Sequence, residues 1–244
     1  MMIAKWRYVW WPLAVVNWCR GILRNRLFEL GVWKSVEFEI PVVFVGSLVN
    51  EPAVSISRYI QRLLKGALHV DRYKISNYQL EKEKQKLTLY HWPLNATHTF
   101  CTTHRVLGLS EWFQCNPDTP AFILDGEFAQ NEIRPQFRLL ISDYNRPFIN
   151  DAIFPVGNLQ EGKTGAKQAD AVLIYNSPQN EGRVKLERSL LPYLKKETPV
   201  FFISNSFDAL NSFNSPEEIE FIADRPNFER LILNILPNAN PDSE

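Results

Sequence analysis

Residues 121–125 read AFILD and residues 137–143 read FRLLISD, two short apolar runs that each end in an aspartate. Runs of this length, rich in aromatic and branched side chains, are typical of strands buried on both faces of a parallel sheet. Similar runs lie at 40–45, 87–92, 171–175 and 200–204, and helix-like segments lie at 55–64, 105–113, 184–194 and 227–236. The alternation predicts an α/β fold with a doubly wound, mostly parallel sheet of P-loop/Rossmann-like type, which binds ligands at the carboxyl ends of its strands.

The composition restricts the function of the chain. Its 244 residues suit one domain, or one domain with a reduced second lobe. Lys plus Arg and Asp plus Glu number 27 each, so no overall charge favours nucleic acid as a partner. The three cysteines, Cys19, Cys101 and Cys115, are too few and too scattered for a disulfide scaffold and suit a reducing compartment.

The first thirty residues are basic and aromatic, and their first acid is Glu29. The apolar stretch from Val9 to Val16 is interrupted by Pro12 and falls short of the roughly 20 residues that a membrane-spanning helix needs. We therefore predict a membrane-associating helical segment at 1–39, followed by an α/β domain at 40–244. The alternative is a first helix packed on the domain with its tryptophans in the core. The residues expected at the membrane are Trp6, Arg7, Trp10, Trp11, Trp18, Arg20, Arg24 and Arg26.

Residues 157–164 read GNLQEGKT and match the GxxxxGK[ST] phosphate-binding loop. In such a loop Gly157, Gly162, Lys163 and Thr164 would hold the phosphates at the start of a helix. Here Gly165 follows, and the chain runs through AKQAD straight into the next predicted strand. This context favours a turn over a phosphate site.

Gly46, Asp125 and Asp143 follow or close predicted strands, at the edge where ligands are expected. An aspartate such as Asp125 at this place is either a magnesium ligand or a helix cap. A zinc site is a further alternative, since zinc accepts His and Cys ligands. The candidate ligands are His98, Cys101, His104 and Cys115, although they lack the paired spacing of known zinc motifs and an isolated thiol is usually a small core residue.

Several stretches, in order, resemble the tetraacyldisaccharide 4'-kinase family, which phosphorylates lipid A precursors in Gram-negative bacteria. Residues 18–48 resemble its N-terminal helix and its PVxxVGN strand, and 101–113 (CTTHRVLGLSEWF) resemble an arginine-containing helix start at Arg105. Residues 121–128 (AFILDGEF) followed by 138–148 resemble its Asp-Asp-Gly-Phe-Gln-His strand and the strand after it. Residues 150–176 match its LLPAGPLREP segment and Ala-Asp-Ala-Val strand without a gap.

The resemblance implies a peripheral protein at the cytoplasmic face of the inner membrane, which uses ATP and magnesium to phosphorylate the 4'-hydroxyl of a lipid A disaccharide precursor. The family's GGTGKT loop follows its VGN strand, whereas Gly46 is followed by Ser-Leu and then VNEPAVSIS, without the loop's Gly, Lys or Thr. In the Asp-Asp-Gly-Phe-Gln-His motif only Asp125 and Phe128 remain. Gly126, Ala129 and Gln130 replace the second Asp, the Gln and the His.

Other family positions are also substituted. Gln160 replaces the arginine of the Leu-Arg-Glu-Pro segment, and nothing between 64 and 105 corresponds to the family's Gly-Asp-Glu-Pro region, which contributes its catalytic acid. The candidate remnants are Asp125, Arg105 and Asp224, with Asp125 as a possible magnesium ligand. We therefore predict a catalytically degenerate homologue with a reduced C-terminal part, about 177–244. Two alternatives stay open: an active kinase that uses GNLQEGKT, and a membrane-surface module that binds lipid A precursors or pairs with an intact kinase.

Overall fold

The computed structural model describes residues 9–49, 54–65, 67–71, 92–94, 97–101, 105–128, 131–179, 182–204, 221–222 and 224–236. The α-helices are α1 (Trp11–Glu29), α2 (Val54–Leu63), α3 (Arg105–Cys115), α4 (Gly182–Leu190) and α5 (Arg225–Leu233). The strands are β1 (Val42–Ser47), β2 (Leu68–Asp71), β3 (Trp92–Leu94), β4 (Thr97–Cys101), β5 (Phe122–Glu127), β6 (Phe137–Asp143), β7 (Ala171–Tyr175) and β8 (Val200–Phe202). Short 3-10 helices lie at Phe148–Asn150, Lys163–Gln168 and Leu191–Tyr193.

The eight strands form one sheet in the order β3-β4-β2-β5-β1-β6-β7-β8. All neighbouring pairs are parallel except β3 with β4. β1 lies between β5 and β6, so the chain adds strands on one side of β1 and then on the other. The predicted doubly wound, mostly parallel α/β sheet is confirmed.

Both faces of the sheet are covered, which explains why its central strands are mostly apolar rather than alternating. Every residue of β1 and of β7 is buried. On one face Val43 and Val45 of β1 belong to a core that includes Phe228 of α5. On the other face Phe44 packs in a second core with Leu109 of α3. Helices α2 and α5 therefore cover one side of the sheet, and α3 covers the other.

The predicted elements from 40–45 to 227–236 agree with the structure to within a few residues, with one exception at the sheet edge. Of the strand expected at 87–92, only Trp92 lies within the described residues, and it begins β3. β2 and β4 were not predicted. Their sequences, LHVD and THTFC, mix polar and apolar side chains over four and five residues and give no clear period.

Candidate functional site

The carboxyl ends of β1, β5 and β6 meet at one edge of the sheet, where the order of strand addition reverses. Gly46 of β1 pairs with Gly126 of β5 on one side and with Leu140 of β6 on the other. Ligands of doubly wound sheets bind in the crevice at such a reversal. This edge is therefore where the predicted site residues are expected to meet.

Asp125 and Arg105 are in direct contact at this edge. Asp125 is 1 % exposed, and Arg105, at the first position of α3, is 7 % exposed. The guanidinium Nη2 of Arg105 donates a hydrogen bond to the main-chain oxygen of Asp125. The structure thus brings together two of the three predicted catalytic remnants and joins α3 to β5 through a charged donor.

Gly126 and Phe128, next along the chain, are packed by two arginines. Gly126 has a φ of +150°, and a Cβ there would lie 3.0 Å from Arg105 Nη2. Arg138 Nη1 donates to the Phe128 carbonyl at 3.2 Å, and its guanidinium carbon lies 6.0 Å from the Phe128 ring centre. Where the family that the sequence resembles has a second aspartate, this chain has Gly126, whose main chain packs against the Arg105 guanidinium.

The segment after Gly46 is tied to the GNLQEGKT segment. Val49 forms an antiparallel bridge with Leu159, and the Gln160 amide donates to the Leu48 carbonyl at 2.9 Å. The Val49 amide donates to Ser47 Oγ at 3.1 Å. The main chain at the place where a phosphate loop would begin is therefore already engaged in intramolecular hydrogen bonds.

Residues 157–164 adopt a compact turn that leads into the 3-10 helix Lys163–Gln168. Lys163 Nζ donates to the carbonyl of Ile149 at 2.5 Å. A Cβ on Gly157 would lie 2.0 Å from the Ala152 carbonyl oxygen, and one on Gly162 would lie 3.2 Å from Trp18 Nε1. The lysine thus contacts the protein main chain, and the glycines permit close packing of this turn.

Glu161 is a buried acid that the sequence did not single out, and α1 covers it. Its Oε1 accepts a hydrogen bond from Asn25 Nδ2, and its carboxyl carbon would lie 2.7 Å from a Cβ on Gly165. Burial raises the pKa of Glu161, and the Asn25 hydrogen bond and the charges of Arg24 and Arg138 oppose that rise. A carboxyl group therefore lies between the first helix and the turn, in surroundings that favour its neutral form.

Helix α1 hydrogen-bonds to the domain through polar side chains and leaves most of its large apolar side chains exposed. Asn17 donates to the Phe154 carbonyl at 3.1 Å, and Asn25 contacts Glu161 and Asn131. Trp10, Trp11 and Trp18 are 46–59 % exposed, so the alternative that places these tryptophans in the core is wrong. The large apolar residues exposed on and beside α1 are Val9, Trp10, Trp11, Leu13, Val16, Trp18, Ile22, Leu23, Leu30, Val32 and Trp33.

The basic residues predicted for the membrane divide into two groups. Arg20 and Arg26 are exposed, whereas Arg24 is half-buried and its charge acts on Glu161. Trp6 and Arg7 lie outside the described residues. No helix in the described part of the chain is long and apolar enough to span a membrane.

Asp143 and Asp224, the other aspartates of interest, have local partners. Asp143 Oδ1 accepts hydrogen bonds from the Asn145 amide at 2.9 Å and from Asn176 Nδ2 at 3.1 Å. Asp224 is exposed before α5 and accepts a hydrogen bond from Asn227 Nδ2 at 3.2 Å. Because α5 and α3 cover opposite faces of the sheet, Asp224 and Arg105 belong to helices on different sides of it.

A cluster that the sequence did not reveal joins α5 to α2. The Tyr59 hydroxyl donates to Glu229 Oε1 at 2.6 Å, and Arg225 Nε donates to the same oxygen at 2.7 Å. Burial is the main cause that raises the pKa of Tyr59, and the Tyr59 hydrogen bond lowers the pKa of Glu229. In the sequence, only the four-residue spacing of Arg225 and Glu229 indicates that two of these side chains are neighbours on a helix.

The zinc alternative receives no support within the described residues, which hold no group of three or more potential metal-ligating side chains. Cys115 is exposed with a free thiol. His104 lies outside the described residues, and His98 and Cys101 are described only as positions in β4.

Residues 87–222 match the family model for tetraacyldisaccharide-1-P 4'-kinase. The chain is 26 % identical over 223 residues to a tetraacyldisaccharide 4'-kinase of Flavobacterium psychrophilum, with 81 % of this chain and 63 % of the relative covered. It is 27 % identical over 198 residues to one of Phocaeicola vulgatus, with 73 % and 52 % covered. The chain thus spans between half and two thirds of the length of these relatives.

A solved structure has the same fold. The crystal structure of the apo form of LpxK from Aquifex aeolicus in complex with ATP superimposes with a TM-score of 0.60 at 19 % identity. The match covers 82 % of this chain and 65 % of that one.

Proposed function

Since the chain belongs to the tetraacyldisaccharide-1-P 4'-kinase family, we propose that it is a catalytically degenerate homologue that acts at the membrane surface. It retains the sheet and the N-terminal helix and does not transfer phosphate from ATP. Its partner is a lipid A precursor at the cytoplasmic face of the bacterial inner membrane, bound without turnover.

The observation that carries this proposal is the segment after Gly46. Phosphoryl transfer depends on a loop whose amides and lysine hold the phosphates in position. Here residues 48–53 read LVNEPA and contain neither glycine nor lysine. The Leu48 carbonyl and the Val49 amide already hydrogen-bond to Gln160 and Ser47. These residues therefore do not fit a triphosphate.

The surroundings of Asp125 support the same proposal. Gly126 stands at the position of the second of the family's two adjacent aspartates, and Arg105 packs against it. Removing the loop, its lysine and a carboxylate together eliminates groups that each contribute factors of about 10³ or more to phosphoryl transfer. Asp125 alone, with Arg105 bound to its main chain, does not provide a magnesium clamp.

The competing proposal is an active kinase that uses GNLQEGKT, and the geometry of that segment argues against it. Lys163 donates to the Ile149 carbonyl, and the loop enters a 3-10 helix of six residues. A phosphate-binding loop instead opens an α-helix whose first amides point at the ligand.

Membrane contact is supported by the outward apolar side of α1, defined by the exposed residues from Val9 to Trp33 named above. A run of exposed tryptophan, leucine and valine is typical of a surface that meets lipid or another protein. Arg20 and Arg26 lie beside it and favour anionic lipid. Pairing of this surface with an intact kinase is the alternative that the same residues allow.

The test is a kinase assay with purified protein, Mg-ATP and the tetraacyldisaccharide acceptor, run beside an intact family member. We expect no phosphorylated product above the blank and no thermal shift with Mg-ATP, while the acceptor in detergent raises the melting temperature. ATP-dependent phosphorylation of the acceptor would refute the proposal. Loss of that activity in Lys163→Ala would then assign it to the GNLQEGKT segment.

A further inference from the structure

A cleft of about 1130 Å³ lies beside the amino-terminal ends of β6 and β7. Asn25 and Arg26 of α1 form one wall. Arg138 near the start of β6 and Asp170 directly before β7 form another. Because these strands are parallel, both residues start from the amino-terminal ends of the strands, and the Arg138 guanidinium reaches the Phe128 carbonyl beyond the end of β5.

The charge of this amino-edge cleft differs from that of the whole chain. Six cationic side chains and two carboxylates line it, so cations exceed carboxylates by four, whereas the chain as a whole has equal numbers. The cationic side chains are those of Arg26, Lys34, Arg134, Arg138, Lys167 and Lys195. A concave surface lined by one sign of charge concentrates its field and attracts the opposite charge.

The two carboxylates are already neutralised by cations at the rim. Glu37 accepts from Arg134 at 2.7 Å, and Asp170 lies 3.3 Å from Lys195. In the described part of the chain, neither Lys34 nor Lys167 forms an ion pair. Both lysines line the cleft, and no described carboxylate pairs with them, which favours an anion between them.

Deeper in the cleft, the side chain of Arg138 is held in place by hydrogen bonds. Arg138 Nη2 donates to Asn131 Oδ1 at 2.9 Å, and its other nitrogen donates to the Phe128 carbonyl. These bonds fix the guanidinium before any ligand arrives, which lowers the entropy lost on binding.

One side of the cleft is continuous with the exposed apolar surface of α1. Ile22 and Trp33 line the cleft and are also 41 % and 48 % exposed. Trp33 packs edge-on against Phe28, which also lines the cleft, with ring centres 5.4 Å apart. An anion in the cleft would thus sit at the polar boundary of the surface that we assign to the membrane.

From this juxtaposition we propose that the amino-edge cleft binds the phosphate group of an anionic lipid headgroup while the apolar side of α1 contacts the acyl region. The inference rests on the membrane contact in the proposed function and is independent of the loss of kinase activity. A free phosphate compound has the same chemistry, and the experiment separates the two sources.

The test compares two charge-reversal pairs in the full chain. The cleft pair, Lys34→Glu with Lys167→Glu, reverses two cations that have no ion pair among the described residues. The control pair, Lys65→Glu with Lys185→Glu, makes the same change in net charge at exposed sites outside the cleft. Binding is measured by co-sedimentation with vesicles of phosphatidylcholine alone and of phosphatidylcholine mixed with phosphatidylglycerol. Inorganic phosphate is titrated separately into lipid-free protein by calorimetry.

We expect the cleft pair to weaken binding to the mixed vesicles about tenfold or more, and the control pair to change it less than about twofold. Binding to phosphatidylcholine alone should be the same for all proteins. Equal loss with both pairs, or no loss with the cleft pair, would overturn the proposal. If wild type binds inorganic phosphate, the cleft pair does not, and vesicle binding is unchanged, the ligand is a free phosphate compound and the headgroup assignment is overturned. Since no nucleotide is present, kinase activity would not alter these results.

Discussion

Gly46 and Gly126 face each other across β1 and β5 so closely that a Cβ on Gly46 would lie 2.4 Å from the Gly126 carbonyl oxygen. The same Cβ would lie 2.7 Å from Cε1 of Phe44. Phe44 is 2 % exposed and the Gly126 oxygen belongs to the main chain of the paired strand, so neither neighbour can move aside easily. The packing of two strands therefore accounts for a glycine at this position without any nucleotide.

We predict that Gly46→Ala lowers the free energy of unfolding by about 1–3 kcal/mol, because the added methyl overpacks the sheet. Gly21→Ala is the matched control. Gly21 lies inside α1, and a Cβ added there would have no other atom within 4 Å, so alanine should stabilise the protein by about 0.5–1 kcal/mol. Urea unfolding followed by circular dichroism measures both, and an unchanged midpoint for Gly46→Ala would contradict the packing argument.

Arg105 is predicted to stabilise the fold through its bond to the Asp125 main chain. Arg105→Gln shortens the side chain and leaves a buried carbonyl without its charged donor, which costs about 1.5–3 kcal/mol. Arg134→Gln is the control, since Arg134 and its partner Glu37 are 73 % and 60 % exposed, and exposed pairs contribute about 0–1 kcal/mol. If thermal unfolding gave equal losses of stability for the two variants, the Arg105 contact would contribute no more than an exposed ion pair.

The central strands could be predicted because burial on both faces leaves runs of apolar residues, as in 42–45 and 171–175. Contacts between distant residues could not. The Tyr59 hydroxyl meets Glu229 across 170 positions, and Val49 meets Leu159, through packing that no local pattern encodes. The outward direction of the α1 tryptophans also had to come from the structure, because aromatic and basic residues at that spacing allow a core face or a membrane face.

Glu161 gives a pH-dependent prediction. Burial raises its pKa above the ordinary 4.5, so at pH values just above 4.5 the folded protein retains a proton that the unfolded chain has lost. The contribution of this group to the free energy of unfolding therefore falls as pH rises from about 4.5 to the folded pKa. Glu161→Gln remains neutral and can still accept the Asn25 hydrogen bond. Its melting temperature should exceed that of wild type at neutral pH, with the difference vanishing near pH 4.

Glu187→Gln is the control for that series, because Glu187 is exposed on α4. Its melting temperature should follow that of wild type at every pH. If Glu161→Gln were less stable than wild type at neutral pH and more nearly equal in acid, the carboxylate would be the favoured form. The attraction of Arg24 and Arg138 would then outweigh burial.

The apolar side of α1 gives a prediction about lipid that is independent of charge. Leu13, Val16 and Leu23 are 48–62 % exposed. Replacing all three by serine should weaken binding to phosphatidylcholine vesicles about tenfold or more, because each replacement loses about 1 kcal/mol or more of the free energy gained when an apolar side chain is buried in the membrane. The same replacement at Leu107, Val184 and Leu191, which are 52–57 % exposed on other helices, should leave binding unchanged. The folded state should be preserved in both triple variants because all six side chains are exposed.

Equal vesicle binding by the two triple variants would contradict membrane contact and would assign the apolar side of α1 to a protein partner. If an intact kinase then co-eluted with wild type but not with the α1 variant, the intact kinase would be that partner.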